Sequence, residues 1–202
     1  MRCFRQRIIN ESVVSSDLGA SDGIDMSRSS AEIIAAKSKS ALAAIGEISP
    51  IGHRSIESTF QFKPYDGTPL QIWVHRSYGS YSAAWQSVFE LPDDHQVDHV
   101  YPKSWAAIKG MKVAWIRVFP VASDVNTGAG RSWEKLWAGF YRRNPPPNGV
   151  PDIIYAEHYQ ILKILSEDVG KKGAYTSSQN MLRHPAQTVT GRTIQARLSR
   201  DA

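Results

Sequence analysis

Four residues in the middle of the chain have side chains suited to acid–base and cation chemistry. Asp98 and His99 are adjacent, and Pro102 follows them in an Asp-His-x-x-Pro sequence. Asn126 and Glu134 come next along the chain. Histidine is the side chain that exchanges a proton near neutral pH, and carboxylate and amide oxygens are ligands that hard divalent cations prefer. These residue types favour a hydrolytic site with a general base and a metal ion.

The order of these residues resembles that of the His-Me finger (ββα-metal, HNH-type) nucleases. That family places a His, followed by Pro, on the first strand of a ββα unit, and an Asn and then a Glu, His or Asn on the loop and helix. Residues 126–134 are similar to the Asn-x-Gly…Trp…Glu stretch of the sugar-non-specific endonucleases, and residues 98–102 are similar to HNH enzymes and to toxin nucleases of bacterial competition systems. The resemblance covers residues 96–144.

This resemblance implies a role for each residue. His99 would be the general base and Arg131 would stabilise the transition state, while the metal ligands would be Asp98, Asn126 and Glu134. The expected ion is Mg²⁺, with Zn²⁺ or Mn²⁺ as alternatives, because Mg²⁺ takes one or two protein oxygens and keeps most of its waters. The implied function is a metal-dependent endonuclease that hydrolyses phosphodiester bonds, with DNA favoured, in an antibacterial toxin or effector. Such a toxin would have an acidic cognate immunity protein as its partner.

Positive charge is concentrated in the same part of the chain. The whole chain has a net charge of +5, whereas residues 99–150 contain eight Lys or Arg and two Asp or Glu, a net charge of +6. A basic block suits a polyanion, because binding to phosphates releases counterions. The residues expected to bind nucleic acid are Lys103, Lys109, Arg142 and Arg143.

Periodicity predicts the elements that would position this site. Apolar and polar residues alternate on both sides of a turn that contains Gly67, which is typical of a hairpin. Helical spacing of apolar residues and stop signals mark the helices. The predicted strands are 59–64, 70–75, 96–102 and 112–120, with a turn at Asn126, and the predicted helices are 29–45, 82–91, 131–143 and about 151–167. The predicted fold class is α+β, a ββα-metal finger core with an N-terminal hairpin and flanking helices.

Three regions are expected along the 202 residues. Residues 1–50 would form an N-terminal linker and amphipathic helix, residues 51–170 a nuclease-like α+β domain, and residues 171–202 a basic irregular tail. No apolar run is long enough for a membrane span and no clear secretory signal is present. The expected location is the cytoplasm of the producer, with secretion or injection into a target cell for a toxin. The single cysteine, Cys3, excludes a disulfide framework and a Cys-rich zinc module.

Other interpretations remain open on the sequence. His95 and Asp98 match the His-x-x-Asp signature of another class of bacterial DNase toxin, which makes His95 an alternative metal ligand. His99 would also fit a hydrogen-bonded strand end, Asn126 a turn, and Glu134 the first turn of a helix. The main functional alternative is a non-catalytic binding or adaptor module of a phage or secretion system that uses its basic face.

Overall fold

The computed structural model describes residues 29–146 and 149–164, except for some side chains of the last two helices. The predicted basic tail and the first 28 residues of the predicted N-terminal region therefore lie outside the described residues. The described part is a mixed α and β protein with a curled antiparallel sheet and few helices. None of these helices is long and apolar enough to cross a membrane.

Within the described residues, seven strands make up the sheet. They are β1 (Ile33–Ala36), β2 (Gly46–Ser49), β3 (Thr59–Pro64), β4 (Gln71–His75), β5 (His95–His99), β6 (Trp115–Ala122) and β7 (Ile153–Tyr155). Their order is β2-β3-β4-β6-β1-β7, and β5 also pairs with β6. The long strand β6 pairs with β4 and β1 over its first half and with β5 over its second half. β6 is therefore the strand that joins β5 to the rest of the sheet.

A single-turn 3-10 helix and five α-helices accompany the sheet in the described residues. The 3-10 helix is Ser30–Glu32, and the α-helices are α1 (Lys39–Ala43), α2 (Tyr81–Gln86), α3 (Lys103–Ala106), α4 (Ser123–Arg143) and α5 (His158–Ile164). α4 begins at the residue after the end of β6. β5, β6 and α4 thus follow one another as two antiparallel strands and a helix, with α3 in the connection between the strands.

Both faces of the sheet bury apolar side chains. Along β4, Ile72 and Val74 belong to the larger core and Trp73 to the smaller one, because successive side chains of a strand point to opposite faces. The larger core includes residues of α2, α3, α4 and α5. The smaller core includes Leu42 of α1. The helices that contribute to the larger core are the ones that surround the end of β5.

The predicted hairpin and the two predicted strands after it are confirmed. β3 and β4 pair in register from Thr59 opposite Val74 to Phe62 opposite Gln71. Gly67, in the connection, has a φ of +81°, which glycine adopts without steric strain. The predicted strands at 96–102 and 112–120 correspond to β5 and β6, and the predicted helix at 82–91 corresponds to the shorter α2.

The helix predicted over 29–45 is confirmed only at Lys39–Ala43, which form α1, and is wrong over the residues before it. Ile33–Ala36 form β1, which pairs with β6 on one side and β7 on the other, and all four residues are buried. A strand that is buried on both faces has no polar alternation, so its short apolar run is indistinguishable from a helix segment. β1 and β2 therefore belong to the same sheet as β3, although the boundary predicted at residue 50 separates them from it.

Two further boundaries differ from the prediction. The helix predicted from about residue 151 begins only at His158, because β7 occupies Ile153–Tyr155 and completes the edge of the sheet beside β1. The turn predicted at Asn126 is also wrong, since this residue lies in the first turns of α4. The helix predicted over 131–143 is confirmed as the C-terminal part of α4.

Candidate functional site

The candidate site is built around the last two residues of β5. Strand alternation sends the His99 side chain into the protein, where the residue is 5% exposed, and leaves Asp98 on the opposite side with 21% of its side chain exposed. Pro102 then occupies the N-cap position of α3, where a proline causes no loss of helical hydrogen bonds. The Asp-His-x-x-Pro sequence therefore ends a strand and begins a helix.

A buried lysine connects this strand end to two helices. The ammonium of Lys163, on α5, forms ion pairs with Asp98 and with Glu134 Oε1 of α4, the latter at 2.8 Å. Lys163 Nζ also donates to the carbonyl oxygen of His99 at 3.4 Å. We refer to Asp98, Glu134 and Lys163 as the Lys163 cluster. It brings β5, α4 and α5 together at one buried positive charge.

The electrostatics of this cluster keep the lysine charged. Burial by itself would lower the pKa of Lys163, but the charges of Asp98 and Glu134 and the hydrogen bonds to them outweigh burial and raise it above the ordinary value. The lysine side chain is 1% exposed, whereas the side chains of Asp98 and Glu134 are 21% and 17% exposed. The cluster thus presents its carboxylates towards the surface and its cation towards the interior.

His99 is a neutral imidazole at physiological pH. Burial lowers its pKa to about 4, Asp98 opposes this shift, and Lys103 and Lys163 add to it. Its Nε2 atom is buried and has no hydrogen-bond partner among the described residues. A neutral ring with an uncommitted nitrogen can accept or share a proton, as a general base must.

Tyr81 of α2 covers the histidine ring. The two ring centroids are 4.4 Å apart and the rings meet edge to face at 60°. Burial raises the pKa of Tyr81, the charge of Asp98 raises it further, and Lys163 opposes both. Tyr81 therefore lies within electrostatic reach of the Lys163 cluster and keeps its phenolic proton at neutral pH.

The structure keeps two predicted ligands apart from this cluster. Asn126 Nδ2 donates to Gln96 Oε1 at 3.3 Å, so this amide lies beside β5 but interacts two residues away from Asp98. His95 stands at the start of β5, and its Nδ1 lies 2.8 Å from the carbonyl oxygen of Asp93. Residues i and i+3 of a strand point to opposite faces, so the His-x-x-Asp spacing does not bring His95 and Asp98 together.

The predicted nucleic-acid-binding residues are all exposed. Lys103 begins α3 and is close enough to His99 to influence its pKa, and Lys109 follows α3. Arg142 and Arg143 form the last turn of α4. α3 and α4 are in contact, with the Trp105 and Tyr141 rings 5.2 Å apart. The backbone of Arg131 belongs to α4, but its side chain lies outside the described residues.

These side chains, as arranged, do not fit a divalent metal ion. The carboxylates of Asp98 and Glu134 converge, but on the ammonium of Lys163, and a second cation between them would lie beside a buried positive charge. The Asn126 amide is bound to Gln96. Within residues 29–146 and 149–164, no group of three or more His, Cys, Asp or Glu could hold a metal ion. The positive charge of the site is that of Lys163.

Sequence reasoning missed Lys163 and Tyr81. One signal for the lysine is present, since Lys163 interrupts the apolar run Ile161-Leu162-Lys163-Ile164. A lysine within an apolar helical face is rarely buried unless it is paired. Tyr81 has no comparable signal, because an aromatic residue at the start of a helix is an ordinary core residue.

Comparisons with known proteins do not place the chain in a family. No family model matches it, and neither a curated protein nor a solved structure matches it. What bears on function is therefore the arrangement at the end of β5: a neutral buried histidine, a buried ammonium between two carboxylates, and exposed basic side chains on α3 and α4.

Proposed function

We propose that the chain cleaves phosphodiester bonds of nucleic acid at the Lys163 cluster and His99. One observation carries this proposal: Asp98 and Glu134, predicted from separate parts of the sequence, pair with one buried cation, Lys163, beside the neutral imidazole of His99, whose backbone carbonyl also accepts from that cation. The succession β5, β6 and α4, with the histidine at the end of the first strand, also supports a ββα finger. The exposed lysines and arginines on α3 and α4 support a polyanionic substrate.

The chemistry follows from the charges of the site. His99 would accept a proton from the attacking hydroxyl or water. Its pKa of about 4 keeps the ring unprotonated at neutral pH and also makes it a weaker base than an exposed histidine. The exposed ammonium of Lys103, which is close enough to His99 to influence its pKa, would stabilise the negative charge that develops on the phosphoryl oxygens. Asp98 and Glu134 would hold Lys163 in position. Because His99 Nε2 is buried, side chains packed against the ring, Tyr81 among them, would have to shift for a substrate to reach it.

The metal ion, the toxin role and the immunity partner come from the family resemblance alone. Mg²⁺ dependence is therefore a separate prediction: a metal ion would have to displace Lys163 from its carboxylates or bind through the substrate phosphates. Digestion in the presence and absence of a chelator tests the Mg²⁺ dependence. Either result leaves the proposed role of His99 as general base unchanged.

The test is a digestion of plasmid DNA and total RNA by the purified chain, in Mg²⁺ and in EDTA. We expect His99→Gln to reduce cleavage by about 100-fold or more, the usual effect of losing a general base. Glu134→Gln should weaken cleavage less, because Asp98 remains paired with Lys163. His53→Ala is the matched control, since His53 is exposed and lies outside the site. Intact polymers under every ion condition, or a fully active and folded His99→Gln variant, would contradict the proposal.

A non-catalytic binding module is the second candidate. The ion pairing of both carboxylates and the burial of the His99 ring favour it, because a purely structural cluster has the same features. A binder would shift nucleic acid in a gel equally well with His99→Gln and would lose affinity with Lys103→Glu. Cleavage that disappears with His99→Gln while the gel shift persists would favour the nuclease.

A further inference from the structure

A phenylalanine near the end of α4 is open to solvent. Phe140 is 44% exposed, and Tyr65 is the one other large apolar residue that is exposed in the described part of the chain. The ring centroids of Trp137 and Tyr141 lie 5.3 and 5.7 Å from that of Phe140, at interplanar angles of 73° and 72°. Neither neighbouring ring is parallel to that of Phe140, so neither occupies the position that a stacked ligand ring would take.

Positive charge lies beside this ring. Arg142 and Arg143 follow Phe140 within three residues and are exposed, and neither forms an ion pair with any described residue. The guanidinium of Arg143 lies back along the helix, because a Cβ atom placed on Gly139 would be 3.6 Å from its Nη1. An exposed ring beside an unpaired cation is the combination that binds single-stranded nucleic acid, in which bases stack on aromatic side chains and phosphates meet positive charge.

The other exposed ring has the opposite surroundings. Tyr65 is followed directly by Asp66, which is also exposed. The Asp66 carboxylate accepts hydrogen bonds from the backbone N–H groups of Ser30 and Thr68, at 2.8 and 3.0 Å, and is thereby fixed beside the tyrosine. A fixed negative charge repels phosphates. Charge complementarity therefore favours a polyanion at Phe140 and disfavours one at Tyr65.

Phe140 lies on the same helix as a carboxylate of the Lys163 cluster. Glu134 and Phe140 are six residues apart in α4, which corresponds to about 9 Å along the helix axis. A nucleic acid strand bound at Phe140 would therefore pass close to the exposed side of the cluster.

We propose that Phe140 and Arg143 bind a single-stranded segment of nucleic acid, with an unpaired base stacked on the ring and a phosphate beside the guanidinium. In a duplex, proteins reach the edges of the bases through the grooves, and the faces of the bases are covered by their neighbours. Phe140 would thus select unpaired strands. This inference rests on the nucleic-acid substrate proposed above and adds that the bound strand is unpaired.

The test measures binding of three fluorescent ligands to the full chain by anisotropy in EDTA. They are a single strand of about 20 nucleotides, the same sequence as a duplex, and an abasic strand of equal length that has the phosphates without the bases. If the wild type cleaves the ligands, the His99→Gln chain takes its place. The single strand is tested as DNA and as RNA, and binding of either one through Phe140 supports the proposal.

Phe140→Leu removes the aromatic face and keeps an apolar side chain. It should weaken binding of the single strand about fivefold or more, the effect of losing one stacked base, and leave the affinities for the duplex and the abasic strand unchanged. Tyr65→Leu is the matched control, since it changes the other exposed ring, and should alter no affinity. An equal loss for all three ligands, or an unchanged affinity for the single strand, would overturn the proposal.

Arg143→Gln tests the phosphate contact. It should weaken binding of the single strand and of the abasic strand by the same factor, about threefold, because the guanidinium interacts with the backbone and not with the base. Lys63→Gln removes an exposed cation from β3 and is the matched control. A loss confined to the strand with bases, or no loss for either strand, would contradict the role given to Arg143.

These measurements separate this inference from the proposed nuclease activity. Cleavage by the wild type, together with an affinity for the single strand that Phe140→Leu leaves unchanged, would overturn this inference alone. Selective loss of single-strand binding in Phe140→Leu, in a chain that cleaves no nucleic acid, would support this inference and contradict the nuclease.

Discussion

Lys163 and Arg117 are buried to the same extent and are stabilised in different ways. Each is 1% exposed. Lys163 has two carboxylates as partners, whereas Nη1 of Arg117, on β6, donates to the carbonyl oxygens of Ala31 at 2.7 Å and Ile33 at 3.3 Å. Within the described part of the chain, Arg117 has no carboxylate partner. Burial lowers its pKa to about 9, while the pKa of Lys163 is raised.

The difference shows two uses of a buried cation. Arg117 ties the 3-10 helix and the start of β1 to β6, and carbonyl dipoles are sufficient for that structural role. Lys163 neutralises two carboxylates that are themselves partly exposed, so it places full charges where a ligand can approach. Groups whose pKa is shifted by burial together with a charged partner occur often at functional sites and also in structural ion-pair networks. We therefore expect the two cations to respond differently to removal.

Removal of Lys163 has the largest expected effect on stability. Lys163→Met leaves Asp98 and Glu134 facing each other without a cation, and we expect a loss of about 3–4 kcal/mol in the free energy of unfolding at pH 7. Urea denaturation measures this change. The double variant Lys163→Met, Glu134→Gln should recover part of the loss, because it removes the repulsion between the carboxylates. A smaller loss in the free energy of unfolding than that of Arg117→Met would contradict the expectation that Lys163 contributes more to stability than Arg117.

Acidification tests the buried histidine beside the cluster. The pKa of His99 is about 4 in the folded chain and about 6.5 when it is unfolded. Between these values the unfolded state binds more protons, so stability is lost as the pH falls from 6.5 to 4. At 1.36 kcal/mol per pKa unit, the loss approaches about 3 kcal/mol. Urea titrations across this range should show a shallower decline for His99→Gln, and His53→Ala should behave as the wild type.

Removal of Arg117 should lower the free energy of unfolding less than removal of Lys163. Arg117→Met leaves two carbonyl oxygens without this donor but no unpaired charge, so we expect a loss of about 1–2 kcal/mol. The loss should be largest in the local stability of β1 and the 3-10 helix. Hydrogen exchange of residues 31–36, compared with that of β3, measures this local change. Equal effects on both strands would show that Arg117 supports the whole sheet.

A surface ion pair should have the smallest effect. Lys37 and Asp152 are 3.1 Å apart, and their side chains are 30% and 55% exposed. Exposed pairs contribute little because water and salt screen them. We expect Lys37→Met to change the free energy of unfolding by less than about 0.5 kcal/mol in the same urea assay. An effect as large as that of Lys163→Met would mean that exposure is not what distinguishes the Lys37 ion pair from the ion pairs of Lys163.

Local sequence patterns predicted part of this architecture. The hairpin of β3 and β4, the strands β5 and β6 and the C-terminal part of α4 follow from alternation, turn residues and helical spacing. β1 did not, because a strand buried on both faces has no alternation. The start of α4 was also missed: Asn and Gly residues between 123 and 131 indicated a turn, but this segment continues from β6 as a helix and packs Val125 into the core.

The residue types of the candidate site could be predicted from the sequence, but the pairing of these residues with Lys163 could not. Asp98, His99 and Glu134 could be singled out because histidine and carboxylates have specific chemistry. Their interaction with a lysine could not be predicted, because no spacing relates Lys163 to any of them. The Asn126 prediction depended on a turn that the structure replaces with a helix, and its amide binds Gln96 instead.

The sequence by itself determined β5, β6 and the C-terminal part of α4, and it singled out Asp98, His99 and Glu134. These follow from interactions between near neighbours in the chain, which set strand alternation, helical period and turn geometry. Only the tertiary structure decided that Lys163 of α5, and not another group, lies between Asp98 of β5 and Glu134 of α4. The physical reason is that this charge pairing depends on how β5, α4 and α5 pack together, and no local period encodes contacts between distant segments.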